Sequence, residues 1–157
     1  MDAVRMCTVM MPCITDLQSP ILPIFRMPGK DCRGLERLRN TVQSIGARPV
    51  VMSPEDHDRA MARVSHLPQL LSTALATVTE MPDLEISGSG LRDMMRLAGS
   101  GFEVWQGILR TNADNIDLAL DGMIRRLQQL RAKLAAEGLE DDFARAQDFY
   151  QRMRAKR

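Results

Sequence analysis

The feature that most restricts how this 157-residue chain can fold is a regular row of apolar residues in its second half. Between Ala113 and Glu137 they recur at alternating steps of four and three residues: Ile116, Leu120, Met123, Leu127, Leu130 and Leu134. This spacing is typical of a helix that buries one narrow stripe against a partner helix. We therefore predict a mainly α-helical protein in which this helix packs against another helix of the chain or of a second subunit.

A second long helix is predicted from Pro54 to about residue 79. Ser53 is a favourable N-cap, proline suits the first helical position, and acidic residues in the first turn complement the helix dipole. Pro68 lies inside this helix and predicts a kink, because proline removes one backbone hydrogen bond and its ring clashes with the preceding turn. A polar loop is expected over 83–90.

Further helices are predicted on both sides of the apolar row. A short one covers 91–98 and another begins at Phe102 after a second glycine break. The last is expected from Leu139 to Lys156, after Gly138, with its apolar side chains facing inward: Phe143, Ala146, Phe149 or Tyr150, and Met153. The heptad-like spacing and these flanking helices together indicate a helical bundle.

The N-terminal third has a different pattern. An apolar run at 21–25, a helical pattern at 32–45 that Gly46 ends, and a second apolar run at 47–52 predict a strand, a helix and a strand. This order is typical of a βαβ-like unit. Residues 1–20 fit no element, and we interpret them as an unassigned leader.

Bulk composition excludes several functions. The net charge of +1 gives no reason to expect binding to nucleic acid or to a membrane surface. Three cysteines without tight spacing argue against a disulfide framework or a zinc site, and they favour a reducing, cytoplasmic location. No group of histidine, cysteine, aspartate or glutamate has metal-ligand spacing, so we expect no metal.

Two segments carry a family resemblance. HDRAMARVSHLPQLL, at 57–71, and GSGLRDMMRLAGSG, at 88–101, resemble signature segments in the helical C-terminal domain of prephenate and arogenate dehydrogenases. These are NAD(P)-dependent enzymes of tyrosine biosynthesis, and the similarity continues through Trp105 and Asn112. After the unassigned leader at 1–20, the resemblance implies two parts: a remnant of a nucleotide-binding Rossmann domain at 21–52 and a helical substrate-binding and dimerisation domain at 53–157.

The resemblance also implies a function. The chain is expected to be the substrate-binding and dimerisation part of an enzyme that performs oxidative decarboxylation with NAD(P)+. It is expected to form a homodimer through its C-terminal helices and to bind prephenate, arogenate or tyrosine. The alternative is a non-catalytic helical dimer that binds tyrosine-like aromatic acids or a partner nucleotide-binding domain.

The sequence departs from the family in its first half. No GxGxxG motif precedes Ile21, although its glycines let a dinucleotide pyrophosphate approach the backbone. The family's catalytic histidine, part of a His-Pro motif in the nucleotide domain, is also missing, because the first histidine is His57. We therefore expect no catalytic residue, no cofactor bound by this chain alone and no turnover, with NAD or NADP belonging to the complete family enzyme.

Two histidines and a glutamine are candidate substrate-binding residues. Position alone favours a structural role for His57, whereas the resemblance places it in the substrate-side signature. His66 lies about 180° around a straight helix from His57, so a kink or a second subunit must intervene if both face one substrate. Gln69 stands where many relatives have a second histidine, which leaves open the choice between prephenate and arogenate because glutamine carries no charge.

Arg96 is the strongest candidate for binding a carboxylate, because a planar guanidinium holds a carboxylate through two hydrogen bonds. The resemblance also assigns this position to the carboxylate of the substrate. Asp93, three residues earlier, is expected to pair with Arg96 and orient it, while Arg92 is expected to be solvated or to face a dimer partner. We expect an imidazole and the Arg96 guanidinium to meet around a small carboxylic acid.

Overall fold

The computed structural model describes residues 21–25, 32–134 and 138–155. The leader predicted at 1–20 lies outside the described residues. The described chain is mainly helical with one small parallel sheet near its start, which confirms the predicted fold class. No helix in these ranges is both long and apolar enough to cross a membrane. The chain divides into two compact units, with the boundary between Ile116 and Asp117.

The first unit begins with the predicted βαβ arrangement. Strand β1 (Ile21–Phe25), helix α1 (Cys32–Ser44) and strand β2 (Arg48–Met52) follow one another, and the strands pair in parallel. A small apolar core joins the three elements: Ile24, Val42 and Ala47, with Leu35 packed against them. The turn from α1 to β2 passes through Gly46, whose φ of 79° is a left-handed conformation that favours glycine.

The long helix predicted after Ser53 is interrupted. Helix α2 (Pro54–Met61) has the expected cap, since the Ser53 hydroxyl accepts from the Asp56 amide at 3.0 Å. A π-helical turn over Ala62–His66 follows, and helix α3 (Leu67–Val78) continues the chain. The irregularity lies directly before Pro68, which has no N–H to offer the preceding turn. The disturbance predicted at Pro68 therefore takes the form of a π-turn.

The middle of the chain consists of short helical pieces. A 3-10 helix covers Met81–Ile86, so the prediction of a loop over 83–90 is wrong for its first half. Helix α4 (Ser89–Met95) passes into a 3-10 turn at Arg96–Gly99, and helix α5 (Phe102–Thr111) follows. The short helix predicted at 91–98 is thus present, but its bonding pattern changes at Arg96.

Helix α6 (Ala113–Lys133) begins at the end of the first unit, and helix α7 (Glu140–Ala155) completes the second unit. The Asp142 carboxylate at the start of α7 is buried and accepts hydrogen bonds from Arg126, Lys133 and Arg145. Hydrogen bonds from Arg126 and Lys133 are the main cause of a pKa for Asp142 well below its usual range. The two helices are therefore joined by charged groups around one carboxylate.

The apolar side chains of α7 do not face inward in the isolated chain. Phe143 and Phe149 are each 71% exposed, and Tyr150 and Met153 are also exposed. The prediction that they point into a core of the chain is therefore wrong for the single chain. Leu127 and Leu134 of the apolar row on α6 are exposed as well, which leaves an apolar surface on both helices without cover.

Candidate functional site

The unusual feature of the first unit is a set of buried polar side chains. Each is less than a tenth exposed: His57, His66, Gln69, Ser72 and Asn112. Polar groups are rarely buried this deeply unless they find hydrogen-bond partners, since an unpaired buried group costs free energy. Because the residues come from three separate parts of the chain, tertiary contacts assemble this buried polar cluster, which is the candidate site.

Asn112 connects the parts of the cluster. Its Nδ2 donates to the Asp58 carbonyl at 2.8 Å and lies 3.3 Å from His66 Nδ1, while its Oδ1 accepts from Asn115 Nδ2 at 2.8 Å. The residue sits between α5 and α6, and its carbonyl accepts the Ile116 amide in the first turn of α6. The position of Asn112 at the junction of α5 and α6 therefore places its amide in contact with Asp58 of α2 and with His66.

The contact with Asn112 decides the protonation state of His66. Because the amide nitrogen of Asn112 can only donate, Nδ1 of His66 accepts and the ring proton resides on Nε2. Burial lowers the pKa of His66 below 6.5 and outweighs the nearby Asp58 carboxylate, which acts in the opposite direction. His66 is therefore a neutral imidazole at neutral pH that presents an N–H donor at Nε2.

Both histidines interact with Asp58. His57 Nδ1 lies 3.2 Å from its carboxylate, and the same carboxylate acts on the pKa of His66 in the direction opposite to burial. The π-turn over Ala62–His66 lies between the two histidines, so they are not carried by one continuous α-helix.

Trp105 forms one wall of the cluster. It is 5% exposed, and its ring meets the His66 ring edge to face with centroids 6.1 Å apart. Its Nε1 is buried and has no hydrogen-bond partner among the described residues, and the same is true of Gln69 Oε1. One unsatisfied donor and one unsatisfied acceptor therefore belong to residues next to His66.

Two polar side chains of α3 hold the 3-10 turn that contains Arg96. Gln69 Nε2 donates to the Leu97 carbonyl at 2.9 Å, and the Ser72 hydroxyl accepts from the Ala98 amide at 3.0 Å. Ser72 is only 2% exposed, so this pair of bonds is shielded from water. The backbone on either side of the turn is thus fixed to the helix that carries His66.

Arg96 lies in a different place. It lines an open groove of about 410 Å³ together with Leu84, Ser87, Leu91, Arg92 and Met95. Neither histidine is among the described residues that line this groove, so the groove does not bring an imidazole to the guanidinium. Arg92 is exposed, as expected, and it lines the groove beside Arg96.

The expected ion pair between Asp93 and Arg96 is absent. Among the described residues no carboxylate oxygen of Asp93 lies within 4.0 Å of an Arg96 nitrogen. The three-residue spacing suits pairing within a continuous α-helix, whereas here the helix ends at Met95 and Arg96 opens a 3-10 turn. Sequence reasoning was wrong about this contact because it assumed one regular helix.

Sequence reasoning did not assign roles to Asn112 and Ser72. Ser72 lies three residues after Gln69 and therefore on the same helix face, which is the signal that could have suggested a shared anchoring role. Asn112 stands between two predicted helices, a position where its polar side chain can reach other segments. Its partners Asp58 and His66 lie more than 40 residues away in sequence, and no local pattern identifies them.

The described residues contain no group of three His, Cys, Asp or Glu side chains placed to hold a metal ion. What the groove offers is the exposed guanidinium of Arg96, a group suited to pair with a carboxylate.

The fold and the buried polar cluster define a class of protein: a helical domain, with two histidines on an interrupted helix, that follows a parallel βαβ unit. Comparison with known families gives the particular assignment. The profile described as "Prephenate dehydrogenase, dimerization domain" matches residues 53–149, and the chain belongs to this family. The resemblance stated from the two signature segments is thereby confirmed.

Similar proteins are longer than this chain. It is 31% identical to prephenate dehydrogenase of Bacillus subtilis over 124 residues, which are 74% of this chain and 33% of that protein. It is 32% identical to cyclohexadienyl dehydrogenase of Zymomonas mobilis over 102 residues, which are 60% and 35% of the two chains. The chain thus spans about a third of the length of these curated relatives.

Solved structures agree with this assignment. Prephenate dehydrogenase from A. aeolicus, in complex with hydroxyphenyl propionate and NAD+, matches with a TM-score of 0.71 at 25% identity, over 86% of this chain and 50% of that one. Arogenate dehydrogenase from Synechocystis matches with the same TM-score at 24% identity, over 87% and 51% of the two chains, which establishes a shared fold.

Proposed function

We propose that this chain is the substrate-binding and dimerisation part of a prephenate or arogenate dehydrogenase, an enzyme of oxidative decarboxylation with NAD(P)+ in tyrosine biosynthesis. The observation that carries the proposal is the buried polar cluster inside the family's helical domain. His66 of the first signature segment contacts Asn112 there, His57 contacts the Asp58 carboxylate, and Gln69 bonds to the turn that contains Arg96.

The proposed binding residues offer different groups to the substrate. Arg96 is exposed in the groove and carries a permanent positive charge, so it suits the carboxylate of the substrate. Neutral His66 presents an N–H donor, and Gln69 presents an acceptor. Asp93 follows the groove residue Arg92 directly and is proposed to take part in binding, although it does not pair with Arg96 in the free chain.

Binding is tested by calorimetry with L-tyrosine and with prephenate. We expect the wild-type chain to bind at least one of them and Arg96→Ala to weaken that binding by about tenfold to a hundredfold, the usual effect of losing a charge-assisted hydrogen bond. Arg110→Ala, which removes an exposed arginine outside the groove, is the matched control and leaves affinity unchanged. Absence of binding by the wild-type chain contradicts a substrate site and leaves an assembly module.

The proposal includes absence of turnover by these 157 residues alone. Support comes from the lack of a GxGxxG motif before Ile21 and from the lack of a histidine before His57 in these residues. Purified chain mixed with prephenate or arogenate and NAD(P)+ is expected to produce no NAD(P)H absorbance. Sustained production that scales with the amount of purified chain contradicts this part of the proposal.

We also propose that the chain forms a homodimer through α6 and α7. The family is a dimerisation domain, and the exposed apolar side chains of α7 need cover that the single chain does not supply. Light scattering after gel filtration is expected to give twice the monomer mass. Phe149→Glu is expected to shift the mass toward the monomer, while Gln151→Glu on the same helix does not. A wild-type chain that remains monomeric at micromolar concentration contradicts this interface.

A further inference from the structure

The side-chain amide of Gln69 has only one orientation compatible with its surroundings. Its nitrogen donates to the Leu97 carbonyl at 2.9 Å and also approaches the Thr73 hydroxyl at 3.4 Å. Reversing the amide would place its oxygen against the Leu97 carbonyl, and two acceptors would then face each other. The oxygen of Gln69 is therefore fixed on the opposite side of the amide.

This oxygen has no partner in the described part of the chain. Gln69 is 5% exposed, and its Oε1 is buried without a hydrogen-bond donor. An unsatisfied buried acceptor is uncommon in a native protein, and the missing donor is the first thing to identify. Nearby, Trp105 Nε1 lacks an acceptor, and the Trp105 ring contacts His66, one helical turn before Gln69.

We propose that Gln69 makes the site select the amino-acid form of the substrate over the keto-acid form, by accepting a hydrogen bond from its α-ammonium group. This inference rests on the proposed function of the same site. Arogenate and tyrosine carry an ammonium beside their carboxylate, so they supply the donor that Gln69 Oε1 lacks. The side chain of prephenate ends in a ketone and a carboxylate, which only accept, and that side chain leaves Gln69 Oε1 unpaired.

Because only the amino-acid form supplies a donor to the Gln69 oxygen, we expect the site to distinguish the amino acid from the keto acid rather than to bind both more tightly. A site with a buried polar group rejects a ligand that cannot pair with that group, because desolvation is then uncompensated. A histidine at this position could meet a second carboxylate as a cation, whereas glutamine remains neutral. Gln69 Oε1 and Trp105 Nε1, the two buried atoms without a hydrogen-bond partner, are covered in the free chain. Ligand entry therefore requires the side chains around them to move apart.

The test compares two ligands that differ only at the α-carbon: L-tyrosine and 3-(4-hydroxyphenyl)propionate, which lacks the ammonium. Calorimetry on the 157-residue chain is expected to give a Kd at least about tenfold lower for L-tyrosine. In Gln69→Met, which has similar length and no acceptor, the ratio is expected to fall to about one.

Ser72→Ala is the matched control. It removes the second bond that holds the Arg96 turn, through Ala98, but leaves the Gln69 oxygen in place. A retained preference for L-tyrosine in Ser72→Ala, together with its loss in Gln69→Met, separates acceptance of the ammonium from anchoring of the turn. If Gln69→Met does not fold, the ratio of the two dissociation constants in the wild type still tests the inference.

The outcomes distinguish this inference from the function on which it rests. Equal affinity of the wild type for both ligands, or a preference for the propionate, overturns the role of Gln69 while the substrate site stands. An unchanged ratio in Gln69→Met also overturns it, because the ammonium is then held elsewhere. Binding of neither ligand overturns the proposed function, and the inference falls with it.

Discussion

Replacing Asn112 with alanine is the most direct test of the buried polar cluster. The side chain is 6% exposed and makes three hydrogen bonds, with the Asp58 carbonyl, His66 Nδ1 and Asn115 Nδ2. A net contribution of about 1 kcal/mol for each bond gives a loss of about 3 kcal/mol in the free energy of unfolding. The Asp58 carbonyl and His66 Nδ1 stay buried without a donor, so we expect a loss of at least about 2 kcal/mol.

The assay uses the protein's own fluorophore. Trp105 is the single tryptophan in the sequence and contacts His66, so its fluorescence during urea unfolding reports on this cluster. Asn115→Ala is the control, because it removes only the bond to the Asn112 oxygen from a partly exposed residue and is expected to cost about 1 kcal/mol or less. A loss below about 0.5 kcal/mol in Asn112→Ala, the range of ordinary surface substitutions, refutes the reasoning.

Further predictions concern titration, backbone and charge. Burial holds the pKa of His66 below 6.5, so just below that pH the unfolded chain binds more protons than the folded one. The free energy of unfolding is therefore expected to rise as pH increases through this interval. Urea titrations of His66→Gln are expected to show a smaller rise. Gly46→Ala is expected to lower the free energy of unfolding by about 1–2 kcal/mol, because the φ of 79° at this position disfavours alanine. Gly107→Ala lies inside α5, where no other atom is within 4 Å of the added Cβ, and it is expected to raise the free energy of unfolding by about 0.5–1 kcal/mol in the same urea titrations. Asp142→Asn is expected to lower the midpoint of thermal unfolding followed by circular dichroism, while Asp148→Asn in an exposed ion pair has almost no effect.

Local sequence rules were sufficient for most of the helices and strands. The cap at Ser53, the stop at Gly46 and the break at Gly138 are short-range signals, and the structure has element boundaries close to all three. The alternation of apolar steps in α6 was equally clear. This row did not identify its partner helix, because an apolar stripe predicts that a surface is buried but not which helix covers it. The inward orientation assigned to Phe149 and its neighbours was wrong for that reason.

The candidate site residues came from the sequence, whereas their geometry did not. The two signature segments pointed to His57, His66, Gln69 and Arg96, and the structure buries the first three while Arg96 is exposed. The groove that holds Arg96 depends on Leu84 of the 3-10 helix at Met81–Ile86, which the sequence presented as a loop. Short 3-10 turns have no strong periodic signature, so neither this wall nor its position followed from spacing.

Two irregular turns of the first unit have different physical origins. Pro68 leaves the preceding turn short of a donor, and the chain forms a π-turn in which His66 lies beside the side-chain amide of Asn112. At Arg96 the α-helix gives way to a 3-10 turn whose backbone is bonded by Gln69 and Ser72 rather than by a regular helical ladder. A local rule therefore predicted the first irregularity, whereas the second depends on polar contacts between residues distant in sequence, which no local rule describes.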